Sequence, residues 1–486
     1  MKTKWETVIG LEVHAELSTA TKIFCACVTR FGAPPNTQSC PVCSGMPGTL
    51  PVFNRVVAEY AMKLGLALKC NIADRCKFDR KNYTYPDLPK SYQVSQLYAP
   101  ICTHGSLEVD APGGTKSIGI HQIHMEEDAG KLIHDGGHTF MDFNRCGVPL
   151  LEIVSKPDMR SADEAVAYLE KLRETLLYLE ICDCKMQEGS LRADVNLSIR
   201  PVGGPLGIRT ETKNLNSFKA IARAIQFETA RQIEILEAGG VVTQETRRWD
   251  DDQGESYSMR TKEDAQDYRY FPEPDLLPIH IDTAWLARIR ETLPEMAHKK
   301  RARYIRDLTL SPADAAVLTG HIKISFFFET LAKKSGHPKE AANLIIGEIT
   351  RLMNKTGILP ENLDIDTDKL TTLITLVLGN KINRNAYKDA TEAVFLHDAD
   401  PETYIRERGL LMVSDNAAIE AAVDAVLATN PDAVASYRAG KEKIIGFLIG
   451  QVMKKFSGAG SPDLIKELLI QRINETQFIQ HENGNG

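Results

Sequence analysis

The sequence predicts an α+β fold for the first half of the chain and an all-helical second half. From Thr7 to about Pro278, stretches in which apolar and polar residues alternate are separated by Gly- and Pro-containing turns and a few helices, which indicates a mixed or antiparallel sheet. After about Trp285 the chain is rich in Ala, Leu and Lys, and its apolar residues recur at helical spacing. With 486 residues, 43% of them hydrophobic, the chain is long enough for two or three domains.

Helix ends and linkers divide the chain further. Ser161 and Glu164 form a capping box, which predicts that a helix begins there, and a second helix is expected to begin near Ser217. Polar, proline-containing stretches at 360–368 and 398–401 are expected to be linkers. The predicted domains are an α+β domain at 1–290, a helical domain at 291–408 and a small helical tail domain at 409–486.

The bulk composition excludes several classes of protein. A formal net charge of −7 argues against a protein that coats nucleic acid without selectivity, because such binding needs clustered Lys and Arg. No apolar run approaches the roughly 20 residues of a membrane span, and no secretion signal precedes the first strand. Ten cysteines in such a chain favour metal binding and free thiols over a disulfide framework. A cytoplasmic protein without a membrane partner is therefore expected.

The first predicted strand, which begins at Thr7, carries polar residues with potential for chemistry. Because side chains on a strand alternate, Glu12 and His14 share one face, opposite Leu11 and Val13. Such a polar face is typical of a solvent-exposed sheet surface and equally of the floor of a cleft. The same alternation recurs in two later segments, whose polar faces carry Arg192, Asp194, Asn196, Ser198 and Arg200, and Arg209, Glu211 and Lys213.

The number of carboxylates in these segments favours a cleft floor over a plain solvent-exposed surface. Glu126, Glu127 and Asp128 are adjacent, and their mutual repulsion makes the run stable only in water, beside Arg or Lys, or around a cation. Glu152 lies in an apolar segment, where a carboxylate needs a basic side chain or a metal as its partner. Oxygen ligands with one imidazole suit a hard divalent ion such as Mg²⁺, which also binds phosphate oxygens. If ATP binds, the site is neither a P-loop nor a Rossmann fold, because neither glycine motif is present.

Four cysteines occur at metal-ligand spacing. Cys25 and Cys27 are followed by Cys40 and Cys43, which is close enough for a tetrahedral Cys₄ zinc knuckle. Four reduced, buried thiols are the alternative interpretation. If zinc binds, four cysteine ligands leave no open position, so the ion is expected to be structural.

The segment 77–90 mixes basic, aromatic and turn residues and is expected to be a loop. Bases beside exposed aromatic residues such as Phe78 and Tyr83 bind phosphates and stack nucleobases. They also cap domains, and the sequence favours neither role.

Several of these segments together resemble one family, the B subunits of the glutamyl-/aspartyl-tRNA amidotransferases. The resemblance covers essentially the whole first half of the chain, with the motifs in family order. The matching stretches are VIGLEVH (8–14), KFDRKNY (77–83) with YPD (85–87), HMEEDAG (124–130), NR (144–145) with PLLEIVS (149–155), EGSLR (188–192), KNLNSF (213–218), QETR (244–247) and DYRYFPEPD (267–275).

The resemblance implies a fold, a reaction and partners. The first domain is expected to be a cradle similar to the glutamine synthetase and guanido kinase fold. The enzyme is expected to be a heterotrimer in which an amidase-type A subunit releases ammonia from glutamine and a small C subunit supports the other two. This chain is expected to use ATP and Mg²⁺ to phosphorylate the side-chain carboxylate of misacylated Glu-tRNA(Gln) or Asp-tRNA(Asn), which ammonia then converts to the amide.

The resemblance also implies roles for individual residues. His14 and Glu152, with Glu126 or Glu127, are expected to hold the catalytic Mg²⁺, with Glu12 beside them. Strand alternation favours Glu126, but the sequence does not define where this strand ends, so both glutamates stay open. Independently of the family, the shared polar face makes Arg192, Asp194 and Lys213 candidates for nucleotide or phosphate contacts.

Zinc cysteines vary within this family, which supports a structural role for the Cys₄ cluster. The tail domain is similar to one that contacts tRNA in the family, and its candidate bases are Lys441, Lys443, Lys454 and Lys455. Two rival hypotheses remain open. One is an ATP-dependent ligase that acts on a free amino acid, and the other is a non-catalytic, zinc-containing RNA-binding scaffold.

Overall fold

A computed structural model describes residues 4–261, 268–412, 416–456 and 462–482. The chain divides into two compact units, Met1–Ala297 and His298–Gly486. The strands lie in the first unit: β1 Trp5–Glu16, β2 Asn71–Ile72, β3 Arg75–Cys76, β4 Asp79–Asn82, β5 Tyr92–Ser95, β6 Cys102–Ala111, β7 Gly114–Glu127, β8 Lys131–Asp135, β9 His138–Asp142, β10 Pro149–Ser155, β11 Leu191–Pro201, β12 Thr210–Lys213, β13 Glu245–Asp250, β14 Glu255–Thr261, β15 Phe271–Pro272 and β16 Ile279–His280.

Within the described part of the first unit, nine strands form one large sheet with the order β14-β13-β12-β11-β1-β10-β7-β6-β2. Neighbouring strands are antiparallel except for the parallel pair β12–β13, so the sheet is mixed. The other strands form smaller sheets: β15-β4-β5, β16-β3 and β8-β9. The predicted α+β class is confirmed.

Four helices share the core of the first unit with one face of this sheet. They are α1 Arg55–Ala67, α2 Ala162–Tyr178, α3 Phe218–Glu237 and α4 Thr283–Glu291. Leu11 and Val13 of β1 are buried in the same cluster as Met62 of α1, Leu169 of α2 and Ile221 of α3. Because side chains alternate along β1, Glu12 and His14 lie on the opposite face.

The predicted ends of two helices are confirmed. Ser161 precedes α2 and accepts a hydrogen bond from the backbone N–H of Glu164. The Glu164 carboxylate accepts from the backbone N–H of Arg160, one residue before the partner that an ideal capping box uses. Ser217 caps α3 by accepting from the backbone N–H of Ala220.

The second unit is helical over its described residues, which confirms the predicted change in character. Its elements follow α4 Thr283–Glu291, and α5 spans the division between the units. They are α5 Ala297–Leu308, α6 Pro312–Leu318, α7 Ile322–Ser335, α8 Pro338–Asn343, a π-helical turn Leu344–Ile349, α9 Thr350–Thr356, a 3₁₀ turn Pro360–Asn362, α10 Thr367–Leu378, α11 Arg384–His397, α12 Pro401–Glu407, α13 Asn416–Thr429, α14 Pro431–Arg438, α15 Ile444–Lys455 and α16 Pro462–Glu482.

Two separate hydrophobic clusters lie in this unit. One includes Tyr304, Phe328 and Ile374, and the other includes Val423 and Leu469. None of the helices in the described part of the chain has the length and apolar character that crossing a membrane requires.

The prediction that segment 77–90 is wholly a loop is wrong. Residues 79–82 form β4, which pairs with β5 and with β15. Phe78 is 2% exposed in the hydrophobic core, and the Arg80 guanidinium makes two hydrogen bonds of 2.7 and 2.8 Å to Glu273. Phe78 and Arg80 therefore hold the segment in place, and the Phe78 ring is not accessible to a nucleobase.

Candidate functional site

The candidate site lies on the polar face of the nine-stranded sheet, at its centre. Backbone pairing places Arg192, His14, Glu152 and His124 directly opposite one another on β11, β1, β10 and β7. Residues that face each other across neighbouring strands point to the same side of the sheet. Four segments that are distant in sequence therefore form one continuous row of polar side chains.

His14 lies at the centre of a cluster of carboxylates. Its Nε2 is 3.3 Å from Glu152 Oε2, 3.6 Å from Glu126 Oε1 and 3.7 Å from Glu12 Oε1. One donor atom from each of His14, Glu126 and Glu152 lies within 4.8 Å of the other two, and His14 and Glu12 form a similar group with Asp194. Neighbouring ligands of an octahedral ion with bonds near 2.1 Å lie about 3 Å apart, so the spacing fits a small divalent cation.

His124 belongs to the same cluster, although the sequence interpretation did not select it. Its Nε2 is 3.1 Å from Glu152 Oε2 and 3.6 Å from Glu126 Oε2. Its side chain is buried, and its Nδ1 lies 3.3 Å from the side-chain amide nitrogen of Gln122. Strand alternation, which places His124 on the same side as Glu126, was the signal that could have found it.

The charges in the cluster shift one another's protonation. Burial alone would raise the pKa of Glu152, but His124 and His14 hold it well below its ordinary value. Burial alone would lower the pKa of His124, but Glu152 and Glu126 outweigh that effect and raise it to about 10. Burial and the charge of Glu152 raise the pKa of Glu12. The two imidazoles thus stabilise the charged form of Glu152, while burial beside Glu152 disfavours a second negative charge on Glu12.

The three adjacent acids have three different surroundings. Glu126 faces His14 and His124, whereas Glu127 points to the other side of β7, where it forms an ion pair with Lys90 and accepts from the backbone N–H of Val94 at 2.9 Å. Asp128, which follows β7, accepts from Arg192 at 2.7 Å. The structure therefore brings Glu126, and not Glu127, to His14.

The candidate phosphate-contacting residues flank the cluster on β11 and β12. Asp194 faces Glu12 across the β1–β11 pair and forms an ion pair with Lys213. Lys213 also lies 2.8 Å from Glu211, and Arg192 is held by Asp128. The side chains of Arg192 and Lys213 are each 35% exposed. Two cationic side chains, each ion-paired with carboxylates, thus lie beside the His14 group.

The four clustered cysteines also converge. One sulfur from each of Cys25, Cys27, Cys40 and Cys43 lies within 4.8 Å of the others, and the Cys40 and Cys43 sulfurs are 3.9 Å apart. Sulfurs around a tetrahedral zinc with Zn–S bonds near 2.3 Å lie about 3.8 Å apart, so the donor set fits that ion. Lys22 Nζ is 3.6 Å from the Cys43 sulfur and supplies positive charge to a thiolate.

Comparison with known proteins assigns the chain to a family. The profile described as the GatB/GatE catalytic domain matches residues 7–287, which contain every residue of the sheet cluster and the cysteine cluster. A second profile, described as the GatB domain, matches residues 326–473.

The chain belongs to the GatB/GatE family.

Similar proteins extend over nearly the whole chain. One from Lachnoclostridium phytofermentans is 53% identical over 97% of this chain and 99% of its own length. One from Lachnospira eligens is 54% identical over 96% and 99%, and one from Caldicellulosiruptor bescii is 52% identical over 97% and 100%. Each of the three is named as the B subunit of an aspartyl/glutamyl-tRNA(Asn/Gln) amidotransferase.

The predicted RNA-contacting lysines lie in the stretch that matches the GatB domain. All four are exposed, with Lys441 and Lys443 just before α15 and Lys454 and Lys455 in its last turn. A helix rises about 1.5 Å per residue, so roughly 16 Å separates the two pairs along the axis. The four lysines therefore form two separate pairs at opposite ends of α15 and do not form one cluster.

Proposed function

We propose that this chain is the component that activates the amino acid carried by tRNA in a glutamine-dependent tRNA amidotransferase. It is an ATP-dependent carbon–nitrogen ligase that converts Glu-tRNA(Gln) or Asp-tRNA(Asn) into Gln-tRNA(Gln) or Asn-tRNA(Asn) for translation. Near-full-length similarity to proteins named as the B subunit of such enzymes supports the assignment. The observation that carries it is the convergence of His14, Glu126 and Glu152 on one polar face.

The reaction needs two transfers. An oxygen of the tRNA-linked side-chain carboxylate attacks the γ-phosphorus of ATP, and the bond to the bridging oxygen of ADP breaks. Ammonia then attacks the carbonyl carbon of the acyl phosphate, inorganic phosphate leaves with the bonding electrons, and the nitrogen loses a proton. The first transfer is required because a carboxylate oxygen is a poor leaving group, and neither transfer needs a protein nucleophile.

His14, Glu126 and Glu152 are the residues that would hold Mg²⁺, and Glu12 lies beside them. When bound, the ion neutralises charge on the transferring phosphoryl group. The protein fixes these donors on hydrogen-bonded central strands, so little reorganisation is needed when the substrate arrives. Arg192 and Lys213 would offer positive charge to the nucleotide phosphates, and Asp194 would orient Lys213.

The wider assignments follow from the resemblance. An amidase-type A subunit would supply ammonia and a small C subunit would support the complex. We assign the cradle fold of glutamine synthetase and guanido kinases to 1–290, a helical domain to 291–408 and a tRNA-binding tail to 409–486. Separate cores in these regions support the division. The Cys₄ cluster would bind zinc as a structural ion, because four thiolates leave no position for a substrate.

Glu152→Ala in the reconstituted complex tests the proposal. We expect tRNA-dependent ATP consumption to fall by at least about 100-fold, given the contribution of a metal to phosphoryl transfer, with zinc content unchanged. Glu108→Ala is the matched control, because the Glu108 side chain lies on β6 of the same sheet but is 62% exposed. Full activity of Glu152→Ala would contradict the proposal and favour an RNA-binding scaffold.

A second measurement separates the proposal from a ligase that acts on a free amino acid. ATP consumption by the complex is measured with misacylated tRNA, with uncharged tRNA and with free glutamate. We expect turnover only with misacylated tRNA. Equal turnover with free glutamate alone would favour the rival ligase.

A further inference from the structure

We infer that His124 is a positioning residue that orients Glu152 and Glu126 toward the cation held by His14. The inference rests on the proposed function, because it assumes a divalent ion at the sheet cluster. It adds a residue that contacts the ligands of this ion and not the ion itself.

The contacts of His124 reach both carboxylates. Its Nε2 lies 3.1 Å from Glu152 Oε2 and 3.6 Å from Glu126 Oε2, and Ser95 Oγ donates to the same Glu126 oxygen at 3.2 Å. The other oxygen of Glu126, Oε1, faces His14. Glu126 therefore has one oxygen on the side of the proposed ion and one on the side of its protein partners.

A bound cation makes the role of His124 distinct from that of His14. Both imidazoles contact the same oxygen, Glu152 Oε2, with His14 at 3.3 Å. A histidine binds a metal through the lone pair of an unprotonated nitrogen, so His14 Nε2 cannot donate to Glu152 while it is a ligand. His124 Nε2, 3.1 Å from this oxygen, then holds it.

Gln122 fixes the orientation of the His124 ring. The Gln122 amide nitrogen, 3.3 Å from His124 Nδ1, can only donate, so it keeps the proton of a neutral imidazole on Nε2. In the imidazolium both ring nitrogens carry protons, so Nε2 still donates, and the Gln122 side chain must then present its amide oxygen to Nδ1. The hydrogen bond toward the carboxylates is thus present in either charge state, and the inference does not depend on which state prevails.

Burial makes this contact effective. His124 is 6% exposed and Glu126 is 3% exposed. Water does not readily replace a donor that is lost at such a position. Residues that hydrogen-bond to metal ligands typically change metal affinity by about 10–100-fold when they are substituted.

The test measures Mn²⁺ binding to the assembled complex by electron paramagnetic resonance, without turnover. His124→Leu removes the donor at similar volume, and His124→Gln keeps an N–H donor near the Nε2 position. His121→Leu is the matched control, because His121 is an exposed residue of the same strand, β7. Circular dichroism and zinc content monitor folding of each variant.

We expect His124→Leu to weaken Mn²⁺ binding by about 10–100-fold. His124→Gln should recover most of the loss, and His121→Leu should bind like the wild type. In activity assays, His124→Leu should raise the Mg²⁺ concentration for half-maximal rate far more than it lowers the rate at saturating Mg²⁺. The coupling of a histidine nitrogen to Mn²⁺ in pulsed spectra should persist in His124→Leu, because His14 provides it.

Three results would overturn the inference while leaving the proposed function intact. They are unchanged Mn²⁺ affinity in His124→Leu, an equal loss in His124→Gln, and disappearance of the nitrogen coupling in His124→Leu, which would make His124 a ligand. If His124→Leu does not fold, His124→Ala takes its place with the same expected loss, and a full loss in His124→Gln would still overturn the inference. Failure of the wild-type complex to bind Mn²⁺ would instead contradict the cation site of the proposed function.

Discussion

The cysteine cluster and the sheet cluster are two donor sets in one unit, built in opposite ways. The four cysteines come from one stretch, 25–43, which lies outside the helices and strands, and their sulfurs converge on one point. His14, Glu126 and Glu152 come from three strands that are brought together only by the pairing of β1, β10 and β7. The first set suits a soft, structural ion, and the second suits a hard ion that shares its coordination with a substrate.

This difference teaches what each site depends on. A local donor set needs a short loop to close, and binding of the ion itself can supply the free energy that orders it. A donor set on central strands is ordered by the sheet before any ion arrives. The two clusters should therefore respond independently to substitution.

Cys43→Ser should have the largest effect. A structural zinc site contributes about 10–16 kcal/mol shared among four ligands, so loss of one thiolate should lower zinc affinity by about 70–900-fold. Competition with a chelator measures this change, and Mn²⁺ affinity should stay at the wild-type value. Cys146→Ser is the control, because the Cys146 thiol contacts the Cys43 carbonyl at 3.2 Å without belonging to the cluster. A parallel loss of Mn²⁺ binding in Cys43→Ser would show that the two sites are coupled.

Substitution of the adjacent glutamates sharpens the comparison within the sheet cluster. Glu126→Gln should weaken Mn²⁺ binding by about 100-fold, because it removes one charged ligand from the site. Glu127→Gln should leave Mn²⁺ affinity within about twofold of the wild type, since its carboxylate pairs with Lys90 on the other side of β7. Isothermal titration of both variants measures the difference, and a larger effect for Glu127 would refute this placement.

Glu228 is a buried carboxylate whose negative charge is stabilised by cationic and hydrogen-bond-donating side chains of the protein. It accepts from Arg231 at 2.6 and 2.8 Å, from Thr210 at 2.8 Å and from Gln232 at 2.8 Å. Burial alone would raise the pKa of Glu228, but these partners lower it. Glu228→Gln should reduce the free energy of unfolding at neutral pH by about 2–3 kcal/mol.

The loss in Glu228→Gln should depend on pH in one direction. Because the folded-state pKa lies below that of the unfolded chain, the carboxylate stabilises the protein fully above about pH 4.5, and this contribution disappears as pH falls through the folded-state value. Urea unfolding from neutral pH downward should show the wild type and variant converging only below about pH 4.5. Convergence already at neutral pH would contradict the assignment.

The tail lysines belong to neither donor set, and their substitution should have the smallest effect. Lys454→Ala with Lys455→Ala should weaken tRNA binding a few-fold and lower the slope of log affinity against log salt by about 0.7–0.9 per lost phosphate contact. Filter binding at several salt concentrations measures the slope. Glu442→Ala, which removes an exposed acid just before α15, is the control and should not lower it. An unchanged slope in the lysine variant would exclude these residues from the RNA contact.

The sequence predicted those features that depend on residues close together in the chain. Alternation gave the polar face of β1, and terminal residues gave the starts of α2 and α3. The polar face of β7 was underestimated because the end of the strand was uncertain. The strand continues through Glu127, so His124 and Glu126 share one side. Pairing of β4 with β15, nearly two hundred residues later in the chain, leaves no local signal, and the burial of Phe78 was therefore missed.

The alternation along β1 ties the integrity of the core to that of the chemistry. Leu11 and Val13 pack into the interior while Glu12 and His14 face outward, so a single backbone stretch encodes both. Sliding the strand by one position, as an insertion or deletion within it would require, would bury the acids and expose the aliphatic side chains. Insertions and deletions in β1 should thus disrupt the fold and the site far more than point substitutions do. Natural or engineered variants should therefore carry their insertions elsewhere.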